Sequence, residues 1–230
     1  MADPTRPERE DQQTAEAAAR DALAARSDVS RETMARLDRF AELLAAWTTR
    51  INLVSRADRT QIWRRHILDS ARLLRFATPA VAGGLWLDLG SGGGFPGLVV
   101  AAHAAEAAPG LRFELVESDH RKAAFLTTAA AEMGLAAVVR VSATRIETLP
   151  PREAGIVSAR ALASLPILVR RATPHLAADG RLLLLKGSRV GVELDAIAKI
   201  KGLRYQLIAE AGPGASNMLV VEGISRVGYA

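Results

Sequence analysis

The stretch LWLDLGSGGGFPG, residues 85–97, decides the fold of this 230-residue chain. It begins with a short apolar strand, Leu85–Leu89, and passes through a glycine-rich turn into an apolar helix predicted over Leu98–Ala108. Glycines let the backbone approach a ligand closely, and the free N–H groups at a helix start point at that ligand. The stretch therefore predicts a nucleotide-type cofactor at the carboxyl end of a buried strand.

Beyond this loop, short apolar strands alternate with helical segments, which is typical of βαβ units and a mainly parallel sheet. Gly212-Pro213-Gly214 is short enough to join the last two strands as a hairpin, so the sheet should end with an antiparallel strand. We predict a Rossmann-like α/β fold of the class I methyltransferase type. The further strands are expected at Leu111–Val116, Ala137–Val141, Gly155–Ser158, Arg181–Leu185, Tyr205–Glu210 and Met218–Glu222.

The sequence before the loop has a helical pattern. Apolar residues recur three to four positions apart between Met34 and Trp47, which indicates one buried helical stripe, and Ser30 is expected to cap that helix. A further helix is predicted from Thr60 to about Phe76. We divide the chain into three parts. Residues 1–12 are polar and expected to be disordered, residues 13–79 form a helical N-terminal element, and residues 80–230 form a methyltransferase domain.

Composition restricts the class of protein. The chain has no cysteine, which excludes disulfides, thiolate metal sites and mechanisms that need a thiol nucleophile. The longest apolar runs fall far short of the roughly 20 residues that span a bilayer, and the N-terminus has no apolar signal region. We therefore expect a soluble, cytoplasmic protein without a membrane partner. The net charge of +5 and the arginines between Arg50 and Arg75 favour a polyanionic partner such as RNA.

The residues of the loop distinguish between two cofactor classes. Gly92, Gly94 and Gly97 match the dinucleotide fingerprint, so a nicotinamide-dependent oxidoreductase is an alternative, although no Tyr-x-x-x-Lys pair accompanies it. Asp88 directly precedes the glycines. A carboxylate there suits the cationic methionine moiety of S-adenosylmethionine and would repel a pyrophosphate. The loop therefore favours S-adenosylmethionine.

Two glutamates follow later strands of the predicted sheet. Glu117 ends the second strand, where an acid can accept from the ribose hydroxyls of either cofactor class. Glu147 follows the third strand, where this fold places the adenine. Both are expected in the cofactor site.

Three blocks of sequence carry a family resemblance. They are residues 47–55 with RHILDS at 65–70, the loop 88–97 with its unusual FPG ending, and SARALAS at 158–164 with LKG at 185–187. They resemble the bacterial glucose-inhibited division protein B family, the small-subunit (16S) ribosomal RNA guanine-N7 methyltransferases, and the resemblance runs from about Leu43 to Leu185. The chain departs from the family at Thr48, where asparagine is usual, and at Asn217, where histidine is expected.

The resemblance implies S-adenosylmethionine as cofactor and N7 of one guanosine as methyl acceptor. It implies 16S rRNA or the small ribosomal subunit as the partner. It also places Ile146 and Arg160 in the cofactor site. With the loop residues above, the expected cofactor set is Asp88, Gly90, Ser91, Gly92, Phe95, Glu117, Ile146, Glu147 and Arg160.

Arg160 and Lys186 are expected to carry the reaction by positioning the target nucleotide, because both follow the carboxyl ends of strands that face the cleft. Guanine N7 has a lone pair and no proton, so we expect no general base and mainly alignment of the reactants. An Arg160 variant that retains cofactor binding would indicate nucleotide contact. One that loses it would place Arg160 in the cofactor shell.

Four residues of the N-terminal element are candidates for RNA contact. Arg64 and Arg65 lie in a stretch with few acids. His66 and Asp69 lie three positions apart on a predicted helix and therefore share a face. Either this pair contacts RNA, or Asp69 orients His66 and the pair joins the two domains. No metal site is expected, since the histidines show no ligand spacing.

Other readings remain open from the residues alone. A non-catalytic ribosome-assembly factor would bind RNA through the same basic face without turnover. A small-molecule methyltransferase would share the fold, because fold does not set the substrate. Nothing in the sequence argues for more than a monomer.

Overall fold

A seven-stranded sheet forms the centre of the computed structural model, which describes residues 6–78, 81, 84–160, 162–187, 190–198, 203–209 and 216–223. The strands are β1 Leu85–Leu89, β2 Arg112–Glu117, β3 Val139–Ala143, β4 Ala154–Arg160, β5 Leu176–Lys186, β6 Arg204–Ile208 and β7 Asn217–Glu222. Their order in the sheet is β3-β2-β1-β4-β5-β7-β6. All neighbouring strands are parallel except at β7, which is antiparallel to both β5 and β6. This confirms the predicted sheet type.

Helices cover both faces of the sheet. They are α1 Arg6–Ala24, α2 Arg31–Thr48, α3 Leu68–Ser70, α4 Gly97–Ala107, α5 His120–Glu132, α6 Leu165–Ala172 and α7 Val190–Ala198, with 3-10 turns at Arg56–Asp58, Ala71–Phe76, Ile146–Thr148 and Thr173–His175. Among the described residues, no helix is both long and apolar enough to cross a bilayer.

The helices and the sheet form two cores. Strand residues alternate between faces, so Trp86 joins a core with α2, α4 and α5, whereas Leu87 and Leu89 join a core with α6 and α7. The expected hairpin turn at 212–214 lies outside the described residues.

The N-terminal helices pack directly on the sheet domain. Phe40 of α2 lies 5.2 Å from the ring of Phe95 in the glycine loop and 6.4 Å from the ring of Phe125 in α5. The predicted cap is confirmed, because the Ser30 side chain accepts from the Thr33 N–H. The N-terminal helical element therefore shares one hydrophobic core with the glycine loop. The domain boundary near residue 80 stays a prediction.

The structure corrects two expectations about the N-terminal element. Helix α1 begins at Arg6, so residues 6–12 are helical where disorder was expected, and residues 1–5 lie outside the described part. The single helix predicted from Thr60 is instead a π-helical turn, Trp63–Ile67, followed by short α3 and a 3-10 turn. The side chain of Glu16 in α1 accepts from the N–H groups of Trp63 and Arg64, at 2.7 and 3.1 Å, and so caps this irregular segment. The local spacing of apolar residues does not predict this contact between distant parts of the chain.

Candidate active site

A cleft of about 700 Å³ opens at the carboxyl ends of the parallel strands. The glycine loop, Glu117, Arg160 and Lys186 line it from the sheet, and the segment 53–58 with Arg65 and His66 lines it from the N-terminal element. This is the edge at which open α/β sheets bind ligands, and the volume suits a cofactor-sized molecule. The cleft therefore lies where the sequence predicted.

Backbone hydrogen bonds hold the glycine loop against β2. The N–H groups of Gly90 and Ser91 donate to the Val116 carbonyl at 2.9 and 3.1 Å. Gly90 has φ +67°, and a Cβ added there would lie 2.5 Å from Leu162 Cδ1 at the cleft wall. The expected glycine is thus required both by its conformation and by the space beside it.

Asp88, which was expected at the methionine moiety, lies beneath the glycine loop and outside the cleft lining. Its side chain is fully buried and does not line the cleft. One carboxylate oxygen accepts from the Ser158 hydroxyl at 2.6 Å, and the other accepts from the Gly97 N–H at 3.3 Å. The Trp86 indole N–H donates in turn to Ser158 Oγ at 2.8 Å. Asp88 therefore ties β1, β4 and the start of α4 together beneath the loop.

Asp88 should make stability depend on pH. Burial raises its pKa to about 6, although the bonds from Ser158 and Gly97 oppose the shift. The pKa of Asp88 is higher in the folded state than in the unfolded state. Its carboxyl group therefore contributes most to the free energy of unfolding below about pH 4, and this contribution is lost as the pH rises through about 6. We expect the Asp88→Asn variant to gain, relative to the parent chain, up to about 3 kcal/mol of unfolding free energy between pH 4 and pH 7.

Urea unfolding of both proteins at several pH values measures this difference. A constant difference across the range would contradict the assigned pKa.

Glu117 occupies the predicted position at the end of β2 and lines the cleft. One carboxylate oxygen accepts from the Gly92 N–H at 2.9 Å and the other from the Asp119 N–H at 2.8 Å. The carboxylate thereby connects the glycine loop to the start of α5. Each oxygen has a second lone pair with which a ribose hydroxyl can bond.

Ile146 and Glu147 lie in the 3-10 turn after β3, and both line the cleft. Glu147 forms an ion pair with Arg171 of α6, which also lines the cleft and was missed as a site residue. Both residues therefore lie at the cleft, and their contact with the cofactor stays a prediction.

Arg160 at the end of β4 reaches across the cleft to the N-terminal element. One guanidinium nitrogen lies 2.6 Å from His66 Nδ1, and the other donates to the Arg65 carbonyl at 2.8 Å and lies 3.7 Å from the Asp69 carboxylate. The guanidinium also lies 6.0 Å from the centre of the Phe95 ring, on which His66 stacks at 4.9 Å. Burial lowers the pKa of Arg160, while Asp69 opposes that shift.

His66 is neutral at ordinary pH. Burial, followed by the positive charge of Arg160, lowers its pKa to about 4. A neutral imidazole has one donor and one acceptor nitrogen. Since arginine can only donate, Nδ1 is the acceptor and Nε2 carries the hydrogen. Nε2 lies 3.9 Å from Asp58, a residue that sequence reasoning missed although Ser55-x-x-Asp58 has the form of a capping box.

The remaining predicted residues divide between the cleft and the surface. Lys186 lines the cleft, but its ammonium group bonds to the Ala163 carbonyl and pairs with Glu193, both at 3.0 Å. Arg65 lines the cleft with 40% of its side chain exposed, whereas exposed Arg64 lies outside it and bonds to Gln61. Among the described residues, no group of three acidic or histidine side chains could hold a metal.

Comparison with known proteins identifies the family. The protein-family model described as GidB, rRNA small subunit methyltransferase G, matches residues 33–204 of this chain. A ribosomal RNA small subunit methyltransferase G from Cereibacter sphaeroides is 52% identical over 167 residues, which cover 73% of this chain and 79% of that protein. Another, from Ruegeria pomeroyi, is 45% identical over 200 residues, covering 87% and 96%.

Solved structures agree on the fold. A methyltransferase from Geobacter sulfurreducens superposes with a TM-score of 0.57 at 15% identity, covering 80% of this chain and 88% of that one. The family match and the close relatives together cover the glycine loop, the cleft and the arginine at its wall. This chain belongs to the GidB family, rRNA small subunit methyltransferase G.

Proposed function

We propose that this chain transfers a methyl group from S-adenosylmethionine to N7 of one guanosine in 16S rRNA. The observation that carries the proposal is the cleft in which the glycine loop, Glu117 and the Arg160–Phe95 pair meet at the strand ends. Family membership supports the same reaction and argues against a nicotinamide-dependent oxidoreductase.

The residues present fit S-adenosylmethionine. Gly90 and Gly92 bring the backbone of the glycine loop to the cleft without side chains, and Glu117 has free lone pairs for ribose hydroxyls. Ile146 and Leu162 offer apolar contacts to an adenine, and Glu147 can accept from its amino group. S-adenosylmethionine supplies, when bound, an electrophilic methyl group on a cationic sulfonium.

The residues of this chain are then expected to align guanine N7 with the methyl group. Guanine N7 needs no deprotonation, and neutral His66 already uses Nδ1 as an acceptor for Arg160. Phe95 offers a ring surface at the cleft wall, and contacts with His66 and the Arg65 carbonyl hold the N–H groups of Arg160 in fixed directions. Rate enhancement is therefore expected from holding N7 in line with the methyl group.

The direct test is transfer of labelled methyl to naked 16S rRNA and to intact small subunits, both taken from cells that lack this activity. The modified base is mapped by chain cleavage specific for N7-methylguanosine. We expect one cleavage site, and no incorporation into RNA from cells with the active enzyme, because that position is already methylated. Cofactor binding without incorporation would favour an assembly factor, whereas competition by a small metabolite would favour a small-molecule methyltransferase.

Exposed Arg64 is expected to contribute to RNA affinity through a phosphate contact. Replacing it with alanine should weaken RNA binding most at low salt and reduce the slope of log affinity against log salt by about one. Cofactor affinity should not change, because the side chain lies outside the cleft. Filter binding at several salt concentrations measures the slope.

Arg112→Ala is the matched control. It removes one exposed arginine at the amino end of β2, away from the cleft. Equal slopes for Arg64→Ala and the parent protein would show that Arg64 makes no phosphate contact.

A further inference from the structure

We propose that His66 and Asp69 are positioning residues that hold Arg160 in the cofactor site, and that they do not contact RNA. In this arrangement the N-terminal element completes the cofactor cleft. The inference rests on the proposed function only in taking the cleft to bind S-adenosylmethionine. It can be tested without RNA.

Arg160 finds its described polar partners in the N-terminal element. Its side chain is only 14% exposed, and a buried guanidinium is costly unless its charge and N–H groups are compensated. The polar contacts of the guanidinium come from His66, the Arg65 carbonyl and Asp69, which all belong to the N-terminal element. His66 and Arg65 stand 94 and 95 positions before Arg160 in the sequence. Contacts between distant parts of the chain thus set the direction of the Arg160 side chain.

His66 already accepts a hydrogen bond from Arg160. Its ring is packed against Phe95, and its Nδ1 faces the Arg160 guanidinium at 2.6 Å. The ring nitrogen Nε2 is buried. A histidine fixed in this way can orient Arg160, and it presents no accessible ring nitrogen to an incoming RNA.

The surroundings of Asp69 are positively charged. The Asp69 side chain is 7% exposed and lies between Arg160, at 3.7 Å, and Arg72, at 3.5 Å. Arg72 donates further to the carbonyls of Ile208 and Ser216 near the C-terminal strands. A carboxylate buried between two arginines is anchored by them and would be repelled by a phosphate. Asp69 therefore balances the charge of Arg160.

A mutant cycle on cofactor affinity tests the inference. His66→Phe keeps the aromatic stacking but removes the acceptor, whereas His66→Asn places an amide oxygen near the position of Nδ1. We expect His66→Phe to weaken S-adenosylmethionine binding about tenfold by calorimetry, and His66→Asn to recover most of that loss. In an Arg160→Lys background, which removes the bidentate fork, His66→Phe should have little further effect.

Two results would overturn the inference. Unchanged cofactor affinity in His66→Phe, with weaker RNA binding, would make His66 an RNA contact. An equal loss in the parent and Arg160→Lys backgrounds would show that His66 does not act through Arg160. Asp69→Asn, which keeps the shape and removes the charge, repeats the cycle if His66→Phe does not fold.

Nitrogen NMR of the folded protein gives a readout without cofactor. With ¹⁵N-labelled histidine at pH 7, His66 should show an unprotonated, hydrogen-bonded Nδ1 and a protonated Nε2, and Arg160→Lys should change the Nδ1 shift. The opposite tautomer would overturn the proposal. Because neither measurement uses RNA, a chain that passes them but fails to methylate 16S rRNA would contradict the proposed function alone.

Discussion

Replacing Arg160 with alanine is expected to lower kcat/KM for methyl transfer by about 10²–10³-fold and to weaken S-adenosylmethionine binding. The guanidinium lies against Phe95 of the cofactor loop, so its loss removes a wall of the cleft. It also removes one of the two arginines that pair with the Asp69 carboxylate and leaves the His66 acceptor without its donor. The geometry thus favours a place in the cofactor shell over contact with the target nucleotide alone. Calorimetry and single-turnover methyl transfer measure the two effects.

The comparison with Arg160→Lys separates charge from geometry. Lysine keeps the charge but cannot donate from two nitrogens at fixed spacing, so it should restore only part of the activity. Thermal unfolding of both variants controls for loss of structure. Full cofactor affinity in folded Arg160→Ala would assign the side chain to the nucleotide, contrary to this account.

Replacing Gly97 with alanine is expected to destabilise the chain by about 2–3 kcal/mol. Gly97 begins α4 and donates its N–H to the buried Asp88 carboxylate. An added Cβ would lie 2.4 Å from Leu115 Cδ2 and 2.8 Å from Asp88 Oδ2, so either β2 or the helix start must move. Because the glycine loop ends here, cofactor affinity should fall together with stability. Denaturant unfolding measures the first effect and calorimetry the second.

Gly110→Ala is the control for this substitution. A Cβ at Gly110 meets no atom within 4 Å, and the position has no positive φ, so the variant should be as stable as the parent or slightly more stable. If Gly97→Ala were equally well tolerated, the tight packing of β1, β2 and α4 beneath the loop would be contradicted.

The sheet and the cleft were predictable because their signals are local. Alternation of apolar strands and helices, with a glycine turn after β1, fixes the cleft at the strand ends. The Asp119 side chain caps the start of α5, and Gly134, with φ +70°, follows its end. Each helix end is therefore indicated by a single residue. Fold and cofactor class therefore follow from short windows of sequence.

The burial of Asp88 follows from its place in the strand. Residues two apart on a strand share a face, so Asp88 points the same way as Trp86, which lies in the core beneath α4. The charge of an acid at a strand end suggests a ligand contact, whereas the alternation of the strand predicts burial. The hydrogen bond of Asp88 to Ser158, 70 positions later, has no local signal.

The partners of Arg160 could not be predicted from spacing. An ideal helix would place His66 and Asp69 on one face, but the π-helical turn at Trp63–Ile67 shifts the register. That turn is capped by Glu16 from a helix 47 residues earlier. Both residues then converge on Arg160 in a contact that exists only once the N-terminal element packs on the sheet.

The most direct measurement of the central claim is the N7-specific cleavage pattern of 16S rRNA from cells lacking this chain, complemented with the parent gene or with Arg160→Ala. Our account predicts one guanosine cleavage site that is absent without the chain, restored by the parent and not restored by the variant. An identical cleavage pattern in all three would contradict the assignment of this cleft to guanine-N7 methylation of ribosomal RNA.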